Sequence, residues 1–368
     1  MQHPNESYLV DTLQYLFQTT SLNEQNYFIV LVHLPNLDPE QLRGTVANIS
    51  GLFKAHIKAQ KLLVIRGLLN DSSLPKDGKN ASHSPFREAF YSKQNTDYAL
   101  LMNFASNLSD YFLMTGDNVH CSSKYVALIY WTVKAWKEIP WVTLEFSDLR
   151  FSGKVFHTIH LSQLSTFFLL FQDAPTDLLL SRFRFLLGQR VPISPTTYLF
   201  HSQKNRITFE KACYQEEKEK EEDGPENPPA QIFTSMLVKG LHPPEHAYFL
   251  NEDYFQTDFA FDGSSYLVIF DESHEVSRIQ VLTGTGKNRQ YQLENGLVEL
   301  GYEPVEETGG CTYYTLLGPL VRGNLDQKVF YEDGFVGKVR CVKLLVTNFQ
   351  NAIVRISHVK IWIKFQEE

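Results

Sequence analysis

The stretch Asn26–Leu34, "NYFIVLVHL", is a nearly unbroken apolar run. A strand reads this way when both of its faces are covered, as in a parallel sheet flanked by helices. Upstream of it, Leu9, Leu13, Leu16 and Phe17 recur at helical spacing. Downstream, Asp38 is placed as the N-cap of a second helix, with Pro39 at its first position and Gln41 in the capping-box place. The predicted apolar face of that helix is Leu42, Val46, Ile49 and Phe53.

The alternation continues. "KLLVIRG" (Lys61–Gly67) reads as a strand, and residues 68–88 as a polar loop rich in Ser, Asn and Asp. A helix is predicted from Lys93 to Asn107, then a strand that opens "DYFLMTGDNV" (Asp110–Val119). "KYVALIYWTVKAW" (Lys124–Trp136) is apolar nearly all round and predicts a buried helix. "WVTLEFSD" (Trp141–Asp148) is the next strand. Strands alternating with helices predict an α/β domain over residues 1–213 with a mostly parallel sheet. Ligands of such sheets sit beyond the carboxyl ends of the strands, and the "TGDN" turn lies at such an end.

The composition changes at "YQEEKEKEEDGPENPP", residues 214–229, whose charge run, Gly and prolines predict a linker. Strand patterns fill residues 230–368: "SSYLVIFD", "SRIQVLTG", "TYYTLLG", "RCVKLLVTN" and "AIVRISHVKIWIKF". Their regular spacing predicts a β-sandwich. In the last of them Val354, Ile356, Val359, Ile361 and Ile363 largely alternate, with a bulge expected between them. "GTGKN" (Gly284–Asn288) lacks the first glycine of a phosphate loop, since Val281 stands there, and reads as a hairpin turn.

The charge balance, 34 basic against 42 acidic residues, leaves no broad footprint for nucleic acid. No apolar run reaches the roughly 20 residues needed to span a bilayer. The start "MQHPNES" has neither the basic nor the apolar region of a signal peptide, so a chain truly beginning at Met1 is expected to be cytoplasmic. Against that, Asn5, Asn48, Asn70, Asn80 and Asn107 each head an N-x-S triplet, a pattern expected of a lumenal chain. The four cysteines form no CxxC pair, which argues against zinc, and leave open a Cys311–Cys341 disulfide or buried free thiols. His157 and His160 have metal-ligand spacing without an evident third ligand. In the "TGDN" turn Asp117 and Asn118 suit a turn by bonding their own backbone, and Asp117 also suits an oxygen ligand for Mg²⁺ or Mn²⁺.

Several blocks occur in a telling order: "ESYLVDTL" (Glu6–Leu13), "KQNTDYALLM" (Lys93–Met102), "DYFLMTGDNV", "WVTLEFSDLRFSGKVF" (Trp141–Phe156) and "NPPA" (Asn227–Ala230). Together they resemble the alpha-1,3-mannosyl-glycoprotein 4-beta-N-acetylglucosaminyltransferases, over nearly the whole chain. The resemblance implies a GT-A-like nucleotide-sugar domain followed by a lectin-like β-sandwich. It implies inverting transfer of GlcNAc from UDP-GlcNAc to the α1,3-mannose arm of N-glycans in the Golgi or ER lumen, with Mn²⁺ or another divalent cation. On this reading Lys93, Asn95, Asp97 and Asp117 bind the donor, Asp117 and Asn118 face the metal, and Glu145 is the remaining acidic candidate for the catalytic base.

The departures point elsewhere. Where the family's metal motif reads Glu-Asp-Asp, this chain reads Gly116-Asp117-Asn118. Two lost carboxylates weaken a divalent-cation site by several kcal/mol. The first nucleotide-binding strand expected before "ESYLVDTL" is not in the sequence, and "HTIHLSQLST" (His157–Thr166) lacks acids expected there. The alternative is a non-catalytic member that binds glycans, or that binds and modulates other Golgi glycosyltransferases; the family includes an inhibitory member acting on N-acetylglucosaminyltransferase I.

Overall fold

The computed structural model describes residues 5–34, 39–66, 84–149, 151–195, 198–202, 224–238, 241–285, 290–305, 310–330 and 338–364. Asn70, Asn80, Cys213, the N-cap Asp38 and most of the predicted linker lie outside the described residues. The chain divides into two compact units. One holds the chain up to Leu128, Trp141–Pro192 and the piece beginning at Tyr198; the other holds Ile129–Pro140, the piece beginning at Ile193 and the C-terminal part. Among the described residues no helix is long and apolar enough to cross a membrane.

The first unit runs α1 (Asn5–Gln18), β1 (Val30–Leu34), α2 (Pro39–Leu52), α3 (Lys54–Lys58), β2 (Leu62–Arg66), α4 (Ser84–Ala105), β3 (Tyr111–Met114) and β4 (Val119–Cys121). It continues with the start of α5 (Tyr125–Ala135), then β5 (Thr143–Glu145), β6 (Lys154–His157), α6 (Leu161–Leu170), α7 (Thr176–Leu186) and β7 (Phe200–Ser202). The expected mostly parallel sheet is not what these strands form. Only β1 and β2 pair in parallel, Val30 against Leu62 through Leu34 against Arg66. The order β3-β6-β5 is antiparallel throughout, and β4 pairs antiparallel with β7. For β5 and β6 the cause is the short link Phe146–Gly153, because a parallel return needs a crossover of a dozen residues or more. Burial also differs in β1: Val32 and Leu34 are buried while Val30, Leu31 and His33 are half-buried, so one face is covered better than the other.

The core of this unit packs α4 and α6 on the β3-β6-β5 sheet through Met102, Met114, Phe156, Leu161, Leu164 and Phe168. On α2, Ile49 is buried as expected but Val46 is exposed and Thr45 takes the inward place. Helix α5 buries Tyr125, Thr132 and Val133 yet leaves Leu128 and Tyr130 in solvent, so it is not covered all round as its composition predicts.

The second unit is a β-sandwich. Its strands are β8 (Ala230–Thr234), β9 (Phe255–Thr257), β10 (Ser265–His274), β11 (Val276–Thr283), β12 (Gly296–Gly301), β13 (Pro304–Val305), β14 (Gly310–Cys311), β15 (Tyr314–Pro319), β16 (Asn324–Lys328), β17 (Val339–Val346) and β18 (Val354–Ile363). A five-stranded sheet, β15-β12-β17-β10-β8, and a four-stranded sheet, β16-β11-β18-β9, are both antiparallel. Their alternating residues, Val268, Phe270, Ile279, Val342, Ile356 and Ile361 among them, form one buried core. The bulge expected in β18 falls at Ser357: Leu282 pairs with His358 and Thr283 with Ile356, leaving Ser357 unmatched.

The predicted linker ends before Pro229. Asn227 donates its amide to the carbonyls of Tyr248 (2.6 Å) and Val359 (2.8 Å) and accepts the Ile361 N–H (2.8 Å), so "NPPA" is already part of the sandwich. Cys311 and Cys341 form a disulfide.

Candidate functional site

Two devices hold the turn between β3 and β4. From α1, the buried Thr12 hydroxyl lies 2.8 Å from the Asp117 carbonyl and 2.9 Å from that of Val119, and accepts the Val119 N–H at 3.2 Å. From the β5–β6 link, Ser152 Oγ accepts the Gly116 N–H at 2.9 Å, and Gly153 N–H donates to Met114 O at 2.9 Å. Thr12 and Ser152 belong to the "ESYLVDTL" and "LRFSGKVF" blocks, which explains why those blocks accompany this turn. Neither was predicted as a site residue, since a threonine inside a helix and a serine in a link carry no chemical signature of their own.

Asp117 is exposed on this turn, and Asn118 beside it is half-buried. Asp97 and Tyr98 come from α4. The Tyr98 phenol is pushed up to about 12, chiefly by burial and then by the negative charges of Asp117 and Asp97. Its ring packs on Phe151 with centroids 5.8 Å apart. Asp97 also reaches β1, with Oδ1 3.8 Å from Nε2 of His33. Burial lowers the His33 imidazole below its ordinary value, partly offset by Asp97. The structure therefore sets His33 beside Asp97, neighbouring Tyr98 on α4, with Asp117 near enough for its charge to act on Tyr98; His33 and Tyr98 were not foreseen. Lys93 lies one helical turn before Asp97, on the same side of α4.

Asn95 is placed otherwise. It is 0% exposed, donates to the carbonyls of Gln172 (2.6 Å) and Ala174 (2.8 Å), and accepts from the Thr176 hydroxyl (2.6 Å). Its polar atoms tie α4 to the α6–α7 link, inside the unit.

Glu145 ends β5, opposite Lys154, which in turn is opposite Met114. Two strand spacings, roughly 10 Å, thus separate its backbone from the start of the turn. Its carboxylate accepts from Lys154 Nζ at 2.6 Å. That ion pair engages Oε2 and favours the ionised carboxylate, leaving Oε1 as the oxygen that could take a proton. His157 and His160 stand at the far end of β6, where the His157 ring packs 4.0 Å from Trp141 and 5.0 Å from Tyr111. Both imidazoles are lowered by burial.

The residues present do not fit the divalent cation that the sequence resemblance implies. Among the described residues no three His, Cys, Asp or Glu side chains gather closely enough to hold a metal ion. At the turn itself the donors are one exposed carboxylate, Asp117, and the amide oxygen of Asn118, which is buried without a hydrogen-bond partner. A neutral acceptor of this kind suits an O–H or N–H donor better than a cation beside a diphosphate. A Cβ at position 116 would lie 3.2 Å from Ser152 Oγ, so a side chain there asks that hydroxyl to shift slightly.

Comparison with known proteins adds the following. The MGAT4 conserved region matches residues 1–221. The mouse alpha-1,3-mannosyl-glycoprotein 4-beta-N-acetylglucosaminyltransferase-like protein MGAT4E is 39% identical over 355 residues, covering 96% of this chain and 80% of the relative. The chicken alpha-1,6-mannosyl-glycoprotein 4-beta-N-acetylglucosaminyltransferase is 33% identical over 377 residues, covering 98% and 79%. The Macaca fascicularis alpha-1,3-mannosyl-glycoprotein 4-beta-N-acetylglucosaminyltransferase C is 31% identical over 378 residues, covering 97% and 76%. Among solved structures, the lectin domain of Lectinolysin complexed with Lewis B antigen gives a TM-score of 0.29 at 17% identity, over 38% of this chain and 98% of its own. A Streptococcus pneumoniae fucose binding module gives 0.29 at 14% identity, over 39% and 98%.

Proposed function

Because the chain belongs to the MGAT4 family of glycosyltransferases, we propose that it is a glycosyltransferase-like protein of N-glycan branching that binds glycans and transfers GlcNAc weakly or not at all. The observation that carries this reading is the donor set at Gly116-Asp117-Asn118, one exposed carboxylate beside one unpartnered amide oxygen. A GT-A-like origin of the first unit is part of the reading, supported by the parallel β1–β2 pair and by an acid-bearing turn after a core strand. Such a protein acts by occupying N-glycans or by engaging another glycosyltransferase of the same lumen, N-acetylglucosaminyltransferase I being the candidate. The Cys311–Cys341 disulfide supports a lumenal setting, since such bonds persist in oxidising compartments. The sandwich is the proposed carrier of the lectin-like role.

A second reading is supported by the convergence of Asp97 and Asp117 on Tyr98. On that reading the chain is an inverting transferase that moves GlcNAc from UDP-GlcNAc to the α1,3-mannose arm, and Glu145 serves as base through the oxygen that Lys154 does not engage.

Turnover separates the two. Purified protein with UDP-GlcNAc, Mn²⁺ and a biantennary acceptor is expected to give little or no product. Robust turnover lost in Asp117→Ala overturns the non-catalytic reading. In calorimetry, Gly116→Glu with Asn118→Asp is expected to gain metal-dependent UDP binding that the natural turn lacks. Co-expression with N-acetylglucosaminyltransferase I is expected to shift surface glycans toward high-mannose forms, and an unchanged glycan profile counts against modulation.

A further inference from the structure

We propose that this protein is itself N-glycosylated at Asn107. The triplet Asn107-Leu108-Ser109 follows directly on α4, in a turn closed by the Leu108 N–H on the Ala105 carbonyl at 3.0 Å. All three residues are exposed, as acceptance and retention of a glycan require. Of the other triplets, Asn48 lies within α2, where Ser50 donates its hydroxyl back to Val46 O.

A second observation points to the same place. Leu100, Phe104 and Leu108 recur every four residues and are 39%, 47% and 37% exposed, an apolar stripe that runs up to Asn107. No described element covers it. The first sugars of an N-glycan present an apolar ring face and would lie over Phe104 and Leu108, removing that surface from water. The attachment point is also remote from the candidate site. Asn107 precedes the start of β3, whereas the Gly116–Asn118 turn follows its end. α4 runs on from Asp97 to Ala105, about 12 Å along its axis, and Asn107 lies past that end. A glycan there leaves the turn open.

The chemistry is a balanced group transfer needing no oxidant. The donor is a polyprenyl-pyrophosphate-linked oligosaccharide of the lumenal membrane. A bond forms between its anomeric carbon and Asn107 Nδ2, the anomeric carbon–oxygen bond to the pyrophosphate breaks, the amide gives up one proton, and the lipid pyrophosphate leaves.

The test uses the full chain delivered to the endoplasmic-reticulum lumen of a mammalian cell. Peptide N-glycosidase F converts a glycosylated asparagine to aspartate, so mass spectrometry of the Asn107 peptide reads occupancy directly. Expected are aspartate at position 107 and the loss of one glycan's mobility shift in Asn107→Gln and in Ser109→Ala. Ser109→Thr, which keeps the triplet, is expected to keep the glycan and controls for misfolding. An unmodified Asn107 peptide from the secreted or lumenal wild-type chain overturns the assignment, as does an identical shift in Asn107→Gln.

Discussion

Glu145 and Lys154 face each other across the β5–β6 ladder with Oε2 and Nζ 2.6 Å apart, and only 19% and 11% of their side chains reach solvent. A pair so enclosed is costly to break from one side, because the charge left behind has little water. Glu145→Gln and Lys154→Met are each expected to cost about 2–3 kcal/mol, less than a fully buried pair because some solvent remains. The double variant is expected to recover a measurable part of the loss. Urea unfolding of the two single variants and the double variant checks this, and strictly additive losses would show that the two side chains do not interact.

Asn95 tests whether the "KQNTDY" block serves the fold or a ligand. Its amide closes two backbone carbonyls, Gln172 O and Ala174 O. Asn95→Ala removes both bonds and the Thr176 contact from a fully buried position, while water can reach the exposed Gln172 and half-buried Ala174, a loss of about 1–2 kcal/mol. Thermal unfolding is expected to fall accordingly, while ligand affinity measured well below the new transition stays as it was. A large affinity change with full stability would return Asn95 to the donor site.

The disulfide closes a sequence separation of 30 residues. On the loop-entropy account its removal costs about 3–4 kcal/mol. Cys341→Ser is therefore expected to lower the denaturation midpoint of the sandwich, with reductant doing the same to the wild type and nothing to the variant. Gly301 sits against this bridge: a Cβ there would approach the Cys311 and Cys341 Cβ atoms to 2.7 and 2.8 Å. Gly301→Ala is accordingly expected to cost about 1–3 kcal/mol through overpacking.

The sandwich was largely legible in the sequence because a period of two survives wherever one face is buried, down to the bulge at Ser357. The first unit was less so. Its apolar runs were read as strands of a parallel sheet, yet β5 and β6 must run antiparallel because Phe146–Gly153 is too short for a crossover, and the β3–β6 and β4–β7 pairings join distant segments. At the candidate site the acids of the turn were visible as residue types. What they meet was not: the approach of His33 to Asp97 and the grip of Thr12 on Asp117 join positions 64 and 105 residues apart in the chain, and no local pattern records such pairings. Glu145 stood out as an acid, while its commitment to Lys154 depends on a cross-strand register that only the folded sheet defines.

Burial gives the pH behaviour its sign, and the long-range pairing of His33 with Asp97 tempers it. Burial holds the His33 imidazole below the ordinary histidine value of 6.5, and Asp97 at 3.8 Å pulls it part of the way back. His157 and His160 are lowered by burial as well. The unfolded chain therefore binds more protons than the folded one between the lowered values and 6.5. Stability is fully present above that window, is lost as pH falls through it, and levels off below the folded values. Asp97→Asn removes the charge that favours the imidazolium, so His33 is expected to titrate lower still and the acid-side loss to deepen. Histidine ring resonances followed by NMR across the window, in wild type and Asp97→Asn, read this directly. An unmoved His33 titration would mean that Asp97 does not face it in solution, and would remove β1 from the candidate site.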